Sequence, residues 1–374
     1  MRVLIVPDKF KGTLTAAEAA DAIARGWREA RPQDHLDLLP MSDGGDGFGP
    51  VMSDLEGASA RSVETSDAAG RPRTATWWLQ EQNRTAVIET VQSIGLALLP
   101  VGKFHPFELD TFGLGALFQA ASLSGAKTCY AGIGGSATND GGFGMARALG
   151  WQFLDPHGVE ILHWTELTRL QSINPAAGKL FNELIIAVDV QNPFLGPTGA
   201  SRIYGPQKGL KLEDMAKAEA ALGQLADTIY QQFGIDYANE PGTGAAGGLG
   251  FGLRAFLEGR FEPGFDLFAR LARLEERLRH VDLVVTAEGA IDASTLMGKG
   301  VGEIARLCAE KKITCIGLAG NLIASSGTPN RNFTRTFGIH PNLTTIQEAK
   351  SNPKYWLAKL ANHSASEIVD LPSP

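Results

Sequence analysis

Residues 132–150 read GIGGSATNDGGFGMARALG and begin within the short apolar run at 128–133. The stretch passes from an apolar strand into a loop of glycine, small hydroxyls, Asn139 and Asp140, and then into the start of an amphipathic helix. Strand, glycine loop and helix in that order are the repeating unit of a parallel α/β sheet. They are also the architecture of a loop that holds an anion. Gly132, Gly134, Gly135, Gly141, Gly142 and Gly144 let backbone N–H groups approach a charged oxygen, and the helix N-terminus adds its dipole. A glycine turn that merely joins a strand to a helix looks the same, so the rest of the chain has to decide.

Four more segments have this character: PDKFKGTL (7–14), PMSDGGDGFG (40–49), PGTGAAGGLGFG (241–252) and TAEGAIDASTLMGKG (286–300). Runs rich in Val, Ile and Leu stand at 3–6, 36–39, 86–91, 128–133, 184–190, 282–286 and 313–318. Several are continuously apolar, as strands buried on both faces are. Five of these strands lead straight into a loop that combines Gly with Asp, Lys or Asn. Helical patterns lie between them, at 15–27 with a Thr15/Glu18 capping box, and at 301–308. Such alternation predicts a parallel sheet whose ligands bind beyond the carboxyl ends of the strands. No fixed-period repeat or low-complexity linker breaks the chain, which fits a second domain inserted into the first.

At 374 residues the chain suits two domains, each with its own core. A hydrophobic fraction of 44% and a charged fraction of 20% describe a globular protein. The formal net charge of -7 argues against a broad nucleic-acid surface, so any anionic ligand must be met by local Lys and Arg. Cys129, Cys308 and Cys315 lack metal-ligand spacing and sit in apolar stretches, and are expected as buried free thiols of a reducing compartment. No apolar stretch approaches the roughly 18 residues that a membrane span needs, and the first apolar run is too short for a signal peptide. The expected location is cytoplasmic, with no membrane partner; a homo-oligomer is compatible with the sequence.

Lys9 and Lys11 lie between a strand and the Thr15-capped helix, placed to clamp phosphate or carboxylate oxygens. Asp43 and Asp46 in SDGGDG have the wrong spacing for an EF-hand. They either bond their own turn or orient a substrate hydroxyl. Asp189 ends an apolar strand, where a carboxylate is costly unless it caps the next turn or meets a metal, a hydroxyl or a base. It is the candidate general base or Mg²⁺ ligand. Asn192 and Lys208 follow in a stretch broken by two proline turns. Glu288 and Asp292 flank EGAID, and Lys299 stands in a GKG that is no Walker A loop, because Ala293 and Gly300 occupy the places of Gly and Ser/Thr.

These parts suit phosphoryl transfer, which needs phosphate cradles, cations, carboxylates for Mg²⁺ and a group to receive the acceptor's proton. A nicotinamide dehydrogenase would want G-x-G-x-x-G after the first strand, and PDKFKG lacks the glycines. Ser136 stands in GGSAT rather than G-x-S-x-G, which argues against a lipase-type nucleophile.

Together the motifs resemble the glycerate kinases of bacterial glycerate degradation. PDKFKGTLTA, PMSDGGDG, GIGGSATNDGGFGMARALG, DVQNPFLGPTGAS with YGPQKG, GTGAAGGLG, and EGAID with GKG appear in that family's order over nearly the whole chain. The resemblance implies a flavodoxin-like (Rossmann-like) parallel-sheet α/β domain, discontinuous over 1–62 and 278–374, with a second α/β domain inserted at 63–277. It implies ATP-dependent phosphorylation of D-glycerate, generally to 2-phosphoglycerate. The expected catalytic residues are Asp189, Lys9 and Lys11, with Asp189 either the general base or the metal ligand for Mg²⁺. The expected contacts to substrate and phosphate are Asp43, Asp46, Gly134, Gly135, Ser136, Asn139, Asp140, Asn192, Lys208, Gly247, Gly248, Glu288, Asp292 and Lys299. The family usually has serine at Lys9, glutamate at Asp46 and arginine at Ala290, within TGEGRID. Lys9 restores the charge missing at position 290 if both loops face one cleft. The altered loop leaves two alternatives open, a kinase of a different small hydroxy acid and a non-catalytic relative that binds a metabolite.

Overall fold

The computed structural model describes residues 1–292, 295, 300–323 and 332–370. The chain divides into two compact units, Met1–Asp43 with Phe265–Pro374, and Gly44–Gly264.

In the first unit five parallel strands lie in the order Arg335–His340, Thr314–Leu322, Leu283–Ile291, Arg2–Pro7, His35–Leu38. Numbered along the chain within this unit and read from the His35–Leu38 edge, the order is 2-1-3-4-5, the flavodoxin-like arrangement with its switch point between Arg2–Pro7 and Leu283–Ile291. Both switch-point strands are buried on both faces along their apolar runs. The helix Ala16–Ala30 starts at a complete capping box, in which Glu18 N donates to Thr15 Oγ1 at 3.1 Å and Thr15 N donates to Glu18 Oε2 at 3.0 Å. Such a cap contributes about 1 kcal/mol. The helix buries Ile23 and Trp27 in a core shared with Leu357 and Leu360 of the helix Pro353–Ser366. A Cβ at Gly26 would stand 1.9 Å from the Ala358 carbonyl oxygen, so this crossing requires glycine.

The second unit holds a six-stranded sheet in the order Arg260–Glu262, Glu183–Ala187, Thr128–Gly132, Thr85–Glu89, Pro72–Gln80, Ser59–Ser66. The first four are parallel and the last two antiparallel. One core lies against this sheet, around Ile88, Phe118, Ile186 and Leu249. Another gathers Phe143, Phe153, Trp164, Phe194 and Phe251, with Phe194 and Phe251 stacked at 4.1 Å.

All seven apolar runs read from the sequence are strands. Four further strands of the main sheets were not: Ser59–Ser66, Pro72–Gln80, Arg260–Glu262 and Arg335–His340. The run at 86–91 ends as a strand at Glu89, and Val91–Ile94 is helical. The EGAI segment expected in a loop is strand, because Leu283–Ile291 stays paired with Thr314–Leu322 through Ile291↔Leu322.

The compact units part at Asp43/Gly44 and Gly264/Phe265, each somewhat before the expected 62/63 and 277/278. Helix Phe48–Glu56 packs on strands Pro72–Gln80 and Thr85–Glu89, and Ser59–Ser66 pairs with Pro72–Gln80 along its whole length, which draws 44–62 into the second unit. The helix Leu274–Leu278 belongs to the first unit, where Arg277 Nη1 lies 2.6 Å from Asp37 Oδ2. The three cysteines are buried and free. Among the described residues no helix is long and apolar enough to cross a membrane.

Candidate active site

The switch point of the first unit gathers carboxylates. Asp8 follows Arg2–Pro7 directly, and its N–H donates to the Ala287 carbonyl of the neighbouring strand at 2.8 Å. Phe10 and Leu14, both buried, close the turn between them with two backbone hydrogen bonds and leave Lys11 exposed. Lys9 Nζ lies 3.3 Å from Asp43 Oδ1 and 3.8 Å from Asp8 Oδ1. On the adjoining strand Glu288 Oε1 accepts from Thr295 Oγ1 at 2.7 Å, and Asp292 N donates to Thr295 Oγ1 at 3.2 Å. Ala290 pairs with Asn321, and a Cβ at Gly289 would stand 3.7 Å from both Phe10 Cα and Lys11 N. The lysine turn and the 288–292 segment are therefore neighbours.

Burial pushes the Asp8 carboxyl up to about 6; the Lys9 ammonium opposes the rise and Asp43 adds to it. Burial pushes Glu288 up to about 7; the Thr295 hydroxyl opposes it, while Asp8, Asp292 and Asp43 add. Two carboxyls at the carboxyl ends of the switch-point strands thus change protonation close to neutrality, as groups that exchange protons with a substrate do.

In the second unit two glycine segments interlock. Ala246, Gly247 and Gly248 are all left-handed, with φ of 56°, 72° and 83°. A Cβ at Gly247 would stand 1.9 Å from the Thr138 carbonyl oxygen, and Gly141 N donates to Gly247 O at 3.1 Å. Asp140 is buried and accepts from Thr111 Oγ1 at 2.7 Å, from Thr111 N and Gly144 N at 2.9 Å, and from Gly142 N at 3.2 Å. Burial raises the Asp140 carboxyl against those bonds. Asn139 Nδ2 donates to Ser201 Oγ at 2.9 Å, and Lys208 Nζ donates to Ser136 Oγ at 2.9 Å and Thr138 O at 2.6 Å. Burial lowers the Lys208 ammonium to about 7, opposed by Asp140. Asn139, Asp140 and Lys208, read from sequence as ligand contacts, are thus buried and hydrogen-bonded to the protein itself. The loop turns outward at Gly134, half-buried, and Gly135, exposed, where a Cβ on Gly135 would meet Asp46 Oδ1.

Three further residues stand at or beyond strand ends in this unit. Glu89 is buried and accepts from Gly47 N at 2.5 Å and Gln92 Nε2 at 3.2 Å. Burial raises its carboxyl, and Asp46 adds to the rise. Asp189 stands two residues beyond Ala187 and accepts from Gly264 N at 2.8 Å. The Asn192 carbonyl accepts from Gly242 N and Gly244 N, while its side chain bonds Thr198 O and Tyr204 Oη, so Asn192 braces the Gly247 loop.

Lys299 lies outside the described residues. Glu89, Asp110, Thr111 and Thr295 are not among the site residues that the sequence singles out. Glu89 left a signal, since it closes the apolar run TAVI much as Asp189 follows IIAV. Asp110, pushed up to about 6 by burial with Asp140 adding, left none. Thr111 and Thr295 likewise show their roles only through partners 29 and 7 residues away.

A flavodoxin-like sheet with lysine and carboxylates at its switch point, and a second sheet topped by interlocked glycine segments, define the class as a two-unit α/β phosphotransferase. The model of the glycerate kinase family matches residues 3–369. The glycerate kinase of Bacillus subtilis (strain 168) is 35% identical over 375 residues, covering 98% of each chain. The glycerate 2-kinase of Escherichia coli (strain K12) is 35% identical over 354 residues, covering 93% of each. A crystal structure from Salmonella typhimurium LT2, assigned to glycerate kinase 2, superposes with a TM-score of 0.85 at 32% identity, covering 99% of this chain and 98% of that one. The chain belongs to the glycerate kinase family and is an enzyme, a phosphotransferase with an alcohol group as acceptor.

Proposed function

We propose that the enzyme uses ATP and Mg²⁺ to phosphorylate D-glycerate on its 2-hydroxyl, giving 2-phosphoglycerate, in the cytoplasm. The observation that supports this most is the likeness to relatives named glycerate kinase and glycerate 2-kinase over nearly the full length of each. Phosphoryl transfer asks a protein chiefly to position two substrates and offset negative charge, and the named loops are equipped for that. In this reading Lys9, Lys11 and Lys299 meet carboxylate and phosphate oxygens. Gly135 offers a backbone N–H group, Asp43 stands beside Lys9 in the first unit, and Asp46 orients the acceptor hydroxyl. Asp189 is the general base for that hydroxyl or the Mg²⁺ ligand, with Glu288 and Asp292 as its counterparts at the switch point of the first sheet.

Among the described residues no three His, Cys, Asp or Glu side chains gather as a metal cluster. Mg²⁺ asks for less, because it is bound through one or two carboxylates with waters and substrate phosphate oxygens filling the other positions. A single carboxylate such as Asp189 meets that need. Held there, the ion would supply positive charge to offset the charge developing on the transferred phosphoryl group.

The test is ADP release over a panel of small hydroxy acids, followed by enolase without mutase on the product. Direct consumption by enolase supports 2-phosphoglycerate. ADP release with glycerate but no consumption overturns the product assignment. The alanine at position 290 favours a second reading, a kinase of a different small hydroxy acid, which the same panel reveals as faster turnover of another acceptor.

A further inference from the structure

Lys208 is the last residue of the helix Ala200–Lys208 and is 7% exposed. An ammonium withdrawn from water is costly unless hydrogen bonds and charge compensate it. Here Nζ donates to Ser136 Oγ at 2.9 Å and Thr138 O at 2.6 Å, the carbonyl end of its own helix favours a cation, and Asp140 is the charged group that faces it. Seven residues earlier on the same helical face, Ser201 Oγ accepts from Asn139 Nδ2 at 2.9 Å. One helix therefore grips residues 136–139 near both of its ends. The other polar side-chain atoms there add no grip, since Thr138 Oγ1 and Asn139 Oδ1 are buried with no hydrogen-bond partner. Gly135, exposed, immediately precedes the residue Lys208 holds, while Gly134 N already donates to Gly44 O at 3.3 Å.

We propose that Lys208 is a positioning residue for phosphoryl transfer. From beneath the loop it fixes Ser136 and Thr138, and so aims the backbone N–H of Gly135, the exposed residue before them, without touching a substrate. This rests on the reading of that loop as an anion-holding element. It departs from the expectation that a lysine in YGPQKG meets the anion directly.

Lys208→Met keeps the chain length and removes the donors, Ser136→Ala removes one acceptor, and the double variant measures their coupling. In the free protein, amides of 134–142 exchange about tenfold or more faster in Lys208→Met while those of the core strands hold. With substrates, kcat falls about 10- to 100-fold while each KM moves less than about threefold. The two substitutions combine less than multiplicatively, because they break the same tie. A tenfold rise in one anionic substrate's KM with kcat retained, or exchange unchanged at 134–142, overturns the proposal. If Lys208→Met fails to fold, Ser136→Ala is read by the same two measurements, and wild-type exchange at the loop overturns it. The exchange readout needs no substrate, so it judges the tie even if glycerate proves not to be the acceptor.

Discussion

Lys9 Nζ stands 3.3 Å from Asp43 Oδ1 and 3.8 Å from Asp8 Oδ1, so a single ammonium lies against two carboxylates at the switch point of the first sheet. Its charge already holds the Asp8 carboxyl below where burial alone would put it. Lys9→Ser removes that pull, and the acid limb of kcat/KM, wherever it reports Asp8, moves to higher pH. The 288–292 segment is adjacent, so Ala290→Arg in the Lys9→Ser background should restore part of the loss. Kinetics of the two single variants and the double should show a coupling of about 1 kcal/mol, a fivefold departure from independence. Effects that simply multiply mean that positions 9 and 290 do not share one charge requirement.

Glu288 makes a stability prediction whose sign follows from its raised carboxyl, about 7 in the folded protein against an ordinary 4.5. Between those values the folded state holds a proton that the unfolded state has released. The group's contribution is fully present below about 4.5 and is lost as pH rises through about 7. Glu288→Gln cannot ionise, so its unfolding free energy should decline less across that window. At pH 8 the variant should be the more stable by about 1 to 3 kcal/mol. Denaturant unfolding at pH 4.5, 6 and 8 measures this; parallel pH curves for the two proteins would refute the burial argument.

These two sites show what the sequence could and could not disclose. Asp8, Lys9 and Glu288 were legible because they sit in glycine-bearing segments of strands that are apolar on both faces, and Asp43 because it stands in SDGG beyond the short, half-buried strand His35–Leu38. Ser59–Ser66 was not legible, since SARSVETS is polar and mostly exposed at a sheet edge and leaves no apolar run. Glu288 reads as a loop residue because Gly289 and Asp292 look like turn residues. What keeps that segment in the sheet is pairing with Thr314–Leu322, a partner distant in sequence. The burial of Asp140 and Lys208 was not legible for a related reason. A charged residue in a glycine loop looks exposed until the elements that cover it are known, and those lie 29 residues before Asp140 and some 70 after the loop.

The interlock of the two glycine segments can be separated from ordinary turn strain by a pair of substitutions. Gly125→Ala places a Cβ in open space at φ 85°, so it bears only the left-handed penalty, about 1 kcal/mol. Gly247→Ala meets the same backbone penalty at φ 72° and also drives a Cβ to within 1.9 Å of a carbonyl oxygen. Its cost should reach about 3 kcal/mol or more, with loss of activity as the loop at 138–141 is displaced. Comparable melting temperatures for the two variants would show that the segments part without cost.

Asp189→Asn tests the base or metal role with little disturbance of the fold. The bond from Gly264 N to Asp189 Oδ1 at 2.8 Å survives the substitution, because an amide oxygen accepts it as a carboxylate does. The variant should therefore unfold at nearly the wild-type denaturant midpoint. An amide neither takes up the acceptor's proton nor offers Mg²⁺ an anionic oxygen, and either loss should lower kcat by about 10² or more. Raising Mg²⁺ separates the two roles: recovery of turnover at high metal points to a ligand, and a deficit that persists at saturating Mg²⁺ points to a base. Near-normal kcat at ordinary Mg²⁺, with the fold intact, would leave Asp189 as a brace for Gly264 and move the search for the base to Glu288.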